Sequence, residues 1–192
     1  MNDTQIKELP AIYPALLEKC TEIGFSMPSD LYIGTLLKTL IRSKPGGRFL
    51  ELGTGISLSL AWMIDGLDDK GYLISIDNDA DLIQIAEDFF GQEECLELIC
   101  ADGGPWLEQY EGPLFDLIFA DAWPGKFWNL EDALNLIRPG GFYVIDDLNP
   151  AEDWPKGHQE KVNDIISYLE NRNDFTLTKM NWSTGIIIAT KH

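Results

Sequence analysis

Cysteine, positive charge and long apolar runs are all scarce in this chain. Cys20, Cys95 and Cys100 are the only cysteines among 192 residues; they are odd in number and show no C-x-x-C spacing, which argues for buried, reduced thiols rather than a disulfide framework. Lys and Arg number 14 against 32 Asp and Glu, a formal net charge of -18, so most of the surface repels a phosphate backbone or an anionic leaflet. Nucleic acid and membrane are therefore not expected as partners. No apolar run approaches the ~20 residues that span a bilayer, and the opening "MNDTQIKELP" has neither a basic n-region nor an apolar h-region. A cytoplasmic location is the expectation. Internal repeats, low-complexity tracts, Gly/Ser linkers and a G-x-x-x-x-G-K-[ST] phosphate loop are missing as well.

What is present is an alternation. With 45% hydrophobic residues the chain can bury a full core in one unit spanning residues 1–192. Two helical patterns come first, one around Ala11 to Gly24 and one capped at Ser29 or Asp30 with Ile33, Leu36, Leu37, Leu40 and Ile41 on one face. Residues 1–44 thus read as a helical cap, covering an acceptor site or forming the face of a homodimer, and residues 45–192 as an α/β core. "RFLEL" reads as a strand, Ser57 to Asp65 as a helix and "GYLISID" as the next strand, one βαβ unit. There follow a helix from Asp79 to Phe90, strand "CLELICA", a short helix near Pro105 to Gln109, strand "LFDLIFA", a helix from Phe127 to Ile137 and strand "GGFYVID", with Gly140-Gly141 as the breaker. After a helix at Gln159 to Leu169, "FTLTKMNW" and "TGIIIATK" are joined too closely for anything but a hairpin. The expected fold is a doubly wound, Rossmann-like sheet of seven strands, mostly parallel, ending in an antiparallel hairpin.

"FLELGTGISLS" carries the first chemical signal. Gly53 and Gly55 follow the first strand, where a ligand can reach backbone N–H groups without meeting a Cβ. A dinucleotide fingerprint needs a third glycine where this chain has Leu58, which weakens NAD. Glu51, two residues before the first glycine, would repel a phosphate but suits a ligand with an ammonium and a sulfonium. A tight turn without a ligand is the bland alternative.

On these residues the chain resembles the class I S-adenosylmethionine-dependent methyltransferases, and among them the small O-methyltransferases of the catechol O-methyltransferase type, from about Ser29 to the end of the chain. "FLELGTGISLS" looks like the family's first motif, with Ser57 where many members carry a third glycine; the resemblance implies cofactor contacts from Glu51, Gly53, Thr54, Gly55 and Ser57. In "LISIDND", Asp77 would take the ribose hydroxyls beside Asn78, or else cap a helix, a role Asp79 serves equally. In "CADGGPWL", Asp102 would accept the adenine amine and Gly103 would let the ring pack closely; a plain Asp-Gly turn weighs about the same. In "FDLIFADAWPGKFW", Asp121 lies just past the fourth strand, where ligands of open α/β sheets bind.

Methyl transfer to a hydroxyl also needs a partner for its proton. By resemblance, a Mg²⁺ or Ca²⁺ ion would be held by Asp121, Asp146 and Asp147, the last standing in place of the family's Asn; in the alternative without a metal, Asp121 binds the cofactor through its methionine amine and Asp147 caps the loop. Relatives carry a lysine three residues after the fourth-strand acid; here that residue is Pro124 and the nearest lysine is Lys126. His158, in "WPKGH", is the other candidate proton acceptor, against the alternative of a solvated loop histidine. Trp123, Phe127, Trp128 and Trp154 either wall an aromatic acceptor pocket or serve packing. The expectation is an O-methyltransferase acting on a small, phenolic acceptor; the rivals are N-methylation, a non-catalytic S-adenosylmethionine-binding protein and a nicotinamide oxidoreductase.

Overall fold

The computed structural model describes residues 2–150 and 156–192. Two helices open the chain, α1 (Tyr13–Ile23) and α2 (Leu31–Arg42). Helix α1 stops at Gly24, whose φ of 66° turns the chain left-handed while its N–H reaches back to the last turn. Helix α2 starts because the Asp30 carboxylate accepts from the N–H groups of Tyr32 and Ile33. Its buried stripe, Ile33, Leu37 and Ile41, has the spacing of one helix face.

Alternation follows: β1 (Arg48–Leu52), α3 (Leu58–Gly66), β2 (Tyr72–Asp77), α4 (Ala80–Phe90) and β3 (Leu96–Cys100). Then come α5 (Gly103–Gln109), β4 (Phe115–Ala120), α6 (Leu130–Asn135) and β5 (Ile137–Ile145). Helix α7 (His158–Glu170) and the strands β6 (Phe175–Met180) and β7 (Ile186–Lys191) complete the chain. The sheet order is β3-β2-β1-β4-β5-β7-β6. Strands β1 to β5 are parallel, and β7 enters antiparallel between β5 and β6. Strand order reverses between β1 and β4, and such a switch point opens a crevice at the carboxyl ends of the strands.

Side chains alternate across β1, so Phe49 and Glu51 share one face and Leu50 and Leu52 the other. The first face packs Phe49, Leu73, Leu117 and Val144 under Leu16, Leu37, Trp62 and Phe90 from α1 to α4. The second packs Leu50, Ile74, Ile118 and Tyr143 under Leu107, Leu134, Val162 and Ile165 from α5 to α7. Each such large apolar side chain, fully buried, is worth about 1.5–3 kcal/mol. Trp62 lies edge-on to Tyr13, centroids 5.9 Å apart, which ties α1 to α3.

Three local expectations are corrected. Helix α6 covers only Leu130–Asn135, because residues 123–128 form a tight turn in which Gly125 N–H donates to Trp128 O at 2.7 Å. Strand β5 starts at Ile137 and runs through Gly140-Gly141 instead of starting there, absorbing the pair in a register shift against β4 between Phe115 and Leu117. All three cysteines are free, but only Cys20 is buried; Cys100 is exposed, because it ends β3 at the edge of the sheet.

Candidate active site

A cavity of about 1020 Å³ opens at the carboxyl ends of the parallel strands. Each of β2, β3, β4 and β5 delivers an acid there: Asp77 ends β2, Asp102 follows β3, Asp121 follows β4 and Asp146 follows β5. The volume exceeds that of most single-ligand clefts, with room for two reactants.

The first end is built around the glycine turn. Gly53 has φ 99°, and a Cβ there would lie 2.8 Å from the Asp121 carbonyl oxygen, so glycine lets β1 and β4 close up at the switch point. Gly55, at φ 51°, donates its N–H to Asp77 Oδ2 at 2.9 Å, while Asp79 N–H donates to Oδ1 at 3.0 Å. Asp77 thus braces both loops, and each oxygen keeps a lone pair for a ligand. Capping of α4 is done by Asp79. Asp102 Oδ1 accepts from Gly104 N–H at 2.9 Å, and a Cβ on Gly103 would meet Pro124 at 3.2 Å. Thr54, Asn78 and Gly103 all line the cavity.

Glu51 and Ser57 are placed differently from expectation. Glu51 is fully buried, and its carboxylate accepts from Ser59 Oγ at 2.6 Å and Ser75 Oγ at 2.5 Å. It shares the helix-covered face of the sheet with Phe49, so it lies beneath the turn rather than in the cavity wall. Burial is the main cause that lifts its pKa to about 7; the serine hydrogen bonds oppose this and the charge of Asp77 adds to it. Ser57 is also fully buried and sits in the left-handed region at φ 68°. Its place at the start of α3 therefore favours glycine.

The second end gathers charge and aromatic rings. Asp121, Asp146 and Asp147 each bring one carboxylate oxygen within 4.8 Å of the others. Burial first, then the neighbouring Asp146, holds Asp121 well above the usual carboxylate range. Burial first lifts Asp146 to about 6, with Lys126 pulling it down and Asp147 pushing it up. The tight turn at residues 123–128 points Lys126 inward, only 4% exposed, with its Nζ 3.5 Å from Asp146 Oδ1. Burial works against the Lys126 ammonium, but the three aspartates together outweigh it and raise its pKa. Tyr143 Oη pins this turn by donating to Gly125 O at 2.6 Å.

His158, at the start of α7, lines the cavity and meets Phe127 edge-on at 5.1 Å and Trp123 at 6.2 Å between centroids. Burial, then the charges of Lys126 and Lys161, lowers its pKa, so the ring is neutral at neutral pH. Trp123 and Trp128, 40% and 46% exposed, form the outer wall. Trp154 lies outside the described residues.

Several residues of the site escape a reading of the sequence. The α1–α2 link crosses the cavity, with Phe25, Met27 and Ser29 in its lining, and Ser29 Oγ donates to Asp121 Oδ2 at 3.2 Å across 92 positions. Thr184, from the β6–β7 turn, closes the far side. No local pattern announces such long-range partners.

The sequence profile of the O-methyltransferase family matches residues 18–163. The chain belongs to this family. Among curated relatives, a Mycolicibacterium paratuberculosis protein named for O-methyltransferase activity is 28% identical over 140 residues, 70% of this chain and 63% of the relative. The chain thus spans a little under two thirds of that relative. A Klebsiella pneumoniae structure described as an O-methyltransferase superposes with a TM-score of 0.82 at 26% identity, covering 98% of this chain and 93% of that one. An O-methyltransferase of Streptomyces achromogenes, involved in tomaymycin synthesis and solved in complex with SAM, shares the fold at TM-score 0.82 and 23% identity, over 98% and 92% of the two chains. The seven-stranded sheet with its terminal hairpin is thus the family's fold. Among the described residues no helix is long and apolar enough to cross a membrane.

Proposed function

We propose that this chain transfers the methyl group of S-adenosylmethionine to a hydroxyl oxygen of a small, phenolic acceptor in the cytoplasm. The observation that carries this reading is one cavity with two different ends, a glycine turn braced by Asp77 and a cluster of three aspartates under an aromatic wall. The S. achromogenes relative, which binds SAM, supports the assignment of the first end to the methyl donor.

Asp77 then takes the two ribose hydroxyls with its remaining lone pairs, and Asp102 accepts from the adenine amine above Gly103. At the other end, Trp123, Phe127 and Trp128 hold the acceptor ring so that its oxygen lies in line with the methyl carbon and sulfur. The O–C bond forms as the C–S bond breaks, and neutral His158 accepts the hydroxyl proton. Three hard carboxylate oxygens fit Mg²⁺ or Ca²⁺, with Asp121, Asp146 and Asp147 as ligands. When bound, such an ion supplies Lewis acidity that lowers the pKa of the acceptor hydroxyl. Lys126 stays the buried counter-ion of Asp146 and positions its carboxylate.

Calorimetric titration with S-adenosylhomocysteine, with Mg²⁺ and after EDTA, tests the reading before any acceptor is known. Binding is expected in both conditions, and phenol turnover only with the metal. Absence of binding in both conditions would remove the methyltransferase assignment, while turnover that survives EDTA would remove the metal from it.

A further inference from the structure

The three-aspartate end contains a fixed positive charge. Among the described residues that line the cavity seven are aspartates, and Lys126 is the only lysine or arginine. Its ammonium faces the carboxylates that would hold an ion: Nζ lies 3.5 Å from Asp146 Oδ1, and Asp121 and Asp147 are the other charges that act on it. Asp146 and Lys126 are both buried, so water does little to disperse a charge left over in this cluster.

The ammonium is also held where it is. Tyr143 Oη donates to Gly125 O at 2.6 Å and Gly125 N–H donates to Trp128 O at 2.7 Å, so the turn that carries Lys126 is fixed from the sheet. The carboxylates are tied from other elements. Ser29 Oγ donates to Asp121 Oδ2, and Asp147, at φ 53°, donates its N–H to Thr184 Oγ1 at 3.1 Å. With its backbone anchored and its side chain buried, Lys126 stays beside the carboxylates when an ion arrives.

The charge count then decides which ion fits. Ligand oxygens must be deprotonated to bind a metal, so a loaded cluster holds three negative charges. A divalent ion balances two of them and Lys126 balances the third. A trivalent ion beside the same ammonium overshoots by one charge, and a monovalent ion falls one short. We propose that Lys126 sets the valence of this site, holding it to one divalent cation by supplying the remaining positive charge itself. The inference rests on the metal reading under the proposed function and adds to it a residue that determines cation specificity.

Tb³⁺ and Ca²⁺ are nearly equal in size and differ in charge, so the ratio of their affinities is the readout. In the full chain, Tb³⁺ at the cluster is followed by luminescence sensitised by Trp123 and Trp128, and Ca²⁺ by its displacement of Tb³⁺. Ligand deprotonation and any change of shape act on both ions and cancel in the ratio, whereas Coulomb energy grows with the charge of the ion. Lys126→Met is expected to raise the preference for Tb³⁺ over Ca²⁺ roughly three- to tenfold. Asp147→Asn, which keeps an oxygen in place and tolerates the positive φ, is expected to lower it by a similar factor, and it keeps the test open if the lysine variant fails to fold. The double variant restores the charge and is expected to return to within about twofold of wild type. A ratio unchanged in either folded single variant would overturn the role of Lys126 while leaving the metal in place. Sensitised luminescence that is absent from wild type, or that survives undiminished in Asp121→Ala, would remove the ion from this cluster and the inference with it, and the methyltransferase reading would still be decided by S-adenosylhomocysteine binding.

Discussion

The two ends of the cavity are built on opposite plans. At the glycine-turn end the carboxylates of the cavity wall are held by backbone N–H groups: Asp77 by Gly55 and Asp79, Asp102 by Gly104. At the three-aspartate end the groups come from distant segments: Lys126 holds Asp146 by charge, and the Ser29 hydroxyl donates to Asp121. Local hydrogen bonds give a rigid, pre-formed turn, whereas crowded buried charge is costly unless it is balanced. The first plan suits a ligand that is always the same; the second suits chemistry, because pKa values shift where charges are packed together.

The sharpest way to break this contrast is to unbalance the charged end. Lys126→Met leaves Asp146 without its partner, and a loss of about 3–5 kcal/mol is expected at neutral pH. With Lys126 in place Asp146 is already lifted to about 6, and the variant loses the charge that holds it down, so Asp146 takes up its proton more readily, the loss should shrink in acid, and urea unfolding at two pH values measures both effects. A loss that does not depend on pH would mean that packing, not charge, holds this end.

Glu51 provides the matching test at the other end. Burial raises its pKa from 4.5 to about 7, so the folded protein holds a proton that the unfolded chain releases first. This contribution to stability is complete below the unfolded value and is lost as pH rises through the folded one, on the order of 3 kcal/mol in all. Glu51→Gln should therefore gain on wild type by about that amount between pH 5 and pH 8.5. Parallel stability curves for the two proteins would place the ionisation elsewhere.

Two smaller effects sharpen the picture. His158→Ala should cut turnover of an identified phenol roughly 100-fold, at the low end for a general base, and leave S-adenosylhomocysteine affinity unchanged. Unchanged turnover would move the proton to another acceptor. Ser57→Gly should stabilise the protein by about 1 kcal/mol, because glycine adopts the φ of 68° seen at Ser57 without the cost a side chain incurs there. A loss of stability would show that the serine is held for another reason.

The same contrast explains what could be read in the sequence. Strand–turn–helix alternation, the glycine turn, the Asp79 cap and the terminal hairpin are all local signals, and the structure has each of them. Asp121, Asp146 and Asp147 were named by the family resemblance, and strand ends explain why they meet, since parallel strands deliver their carboxyl termini to one rim. What escaped was long-range or directional. Glu51 alternates away from the cavity, a fact of strand phase that its position beside two glycines disguised. The inward aim of Lys126 depends on the turn at residues 123–128, which also shortened α6. Ser29 and Thr184 reach the site only through tertiary packing, and no pattern along the chain marks them.

The antiparallel course of β7 has a practical consequence. The strand runs down β5 away from the rim, from Ile187 opposite Ile145 to Thr190 opposite Phe142, and His192 N–H donates to the Asp174 carbonyl at 2.9 Å. His192 thus lies at the end of the strands opposite the rim. A surface anchor attached there would immobilise the molecule with its mouth facing solution, so that ligand arrival could be followed on a sensor chip without obstruction.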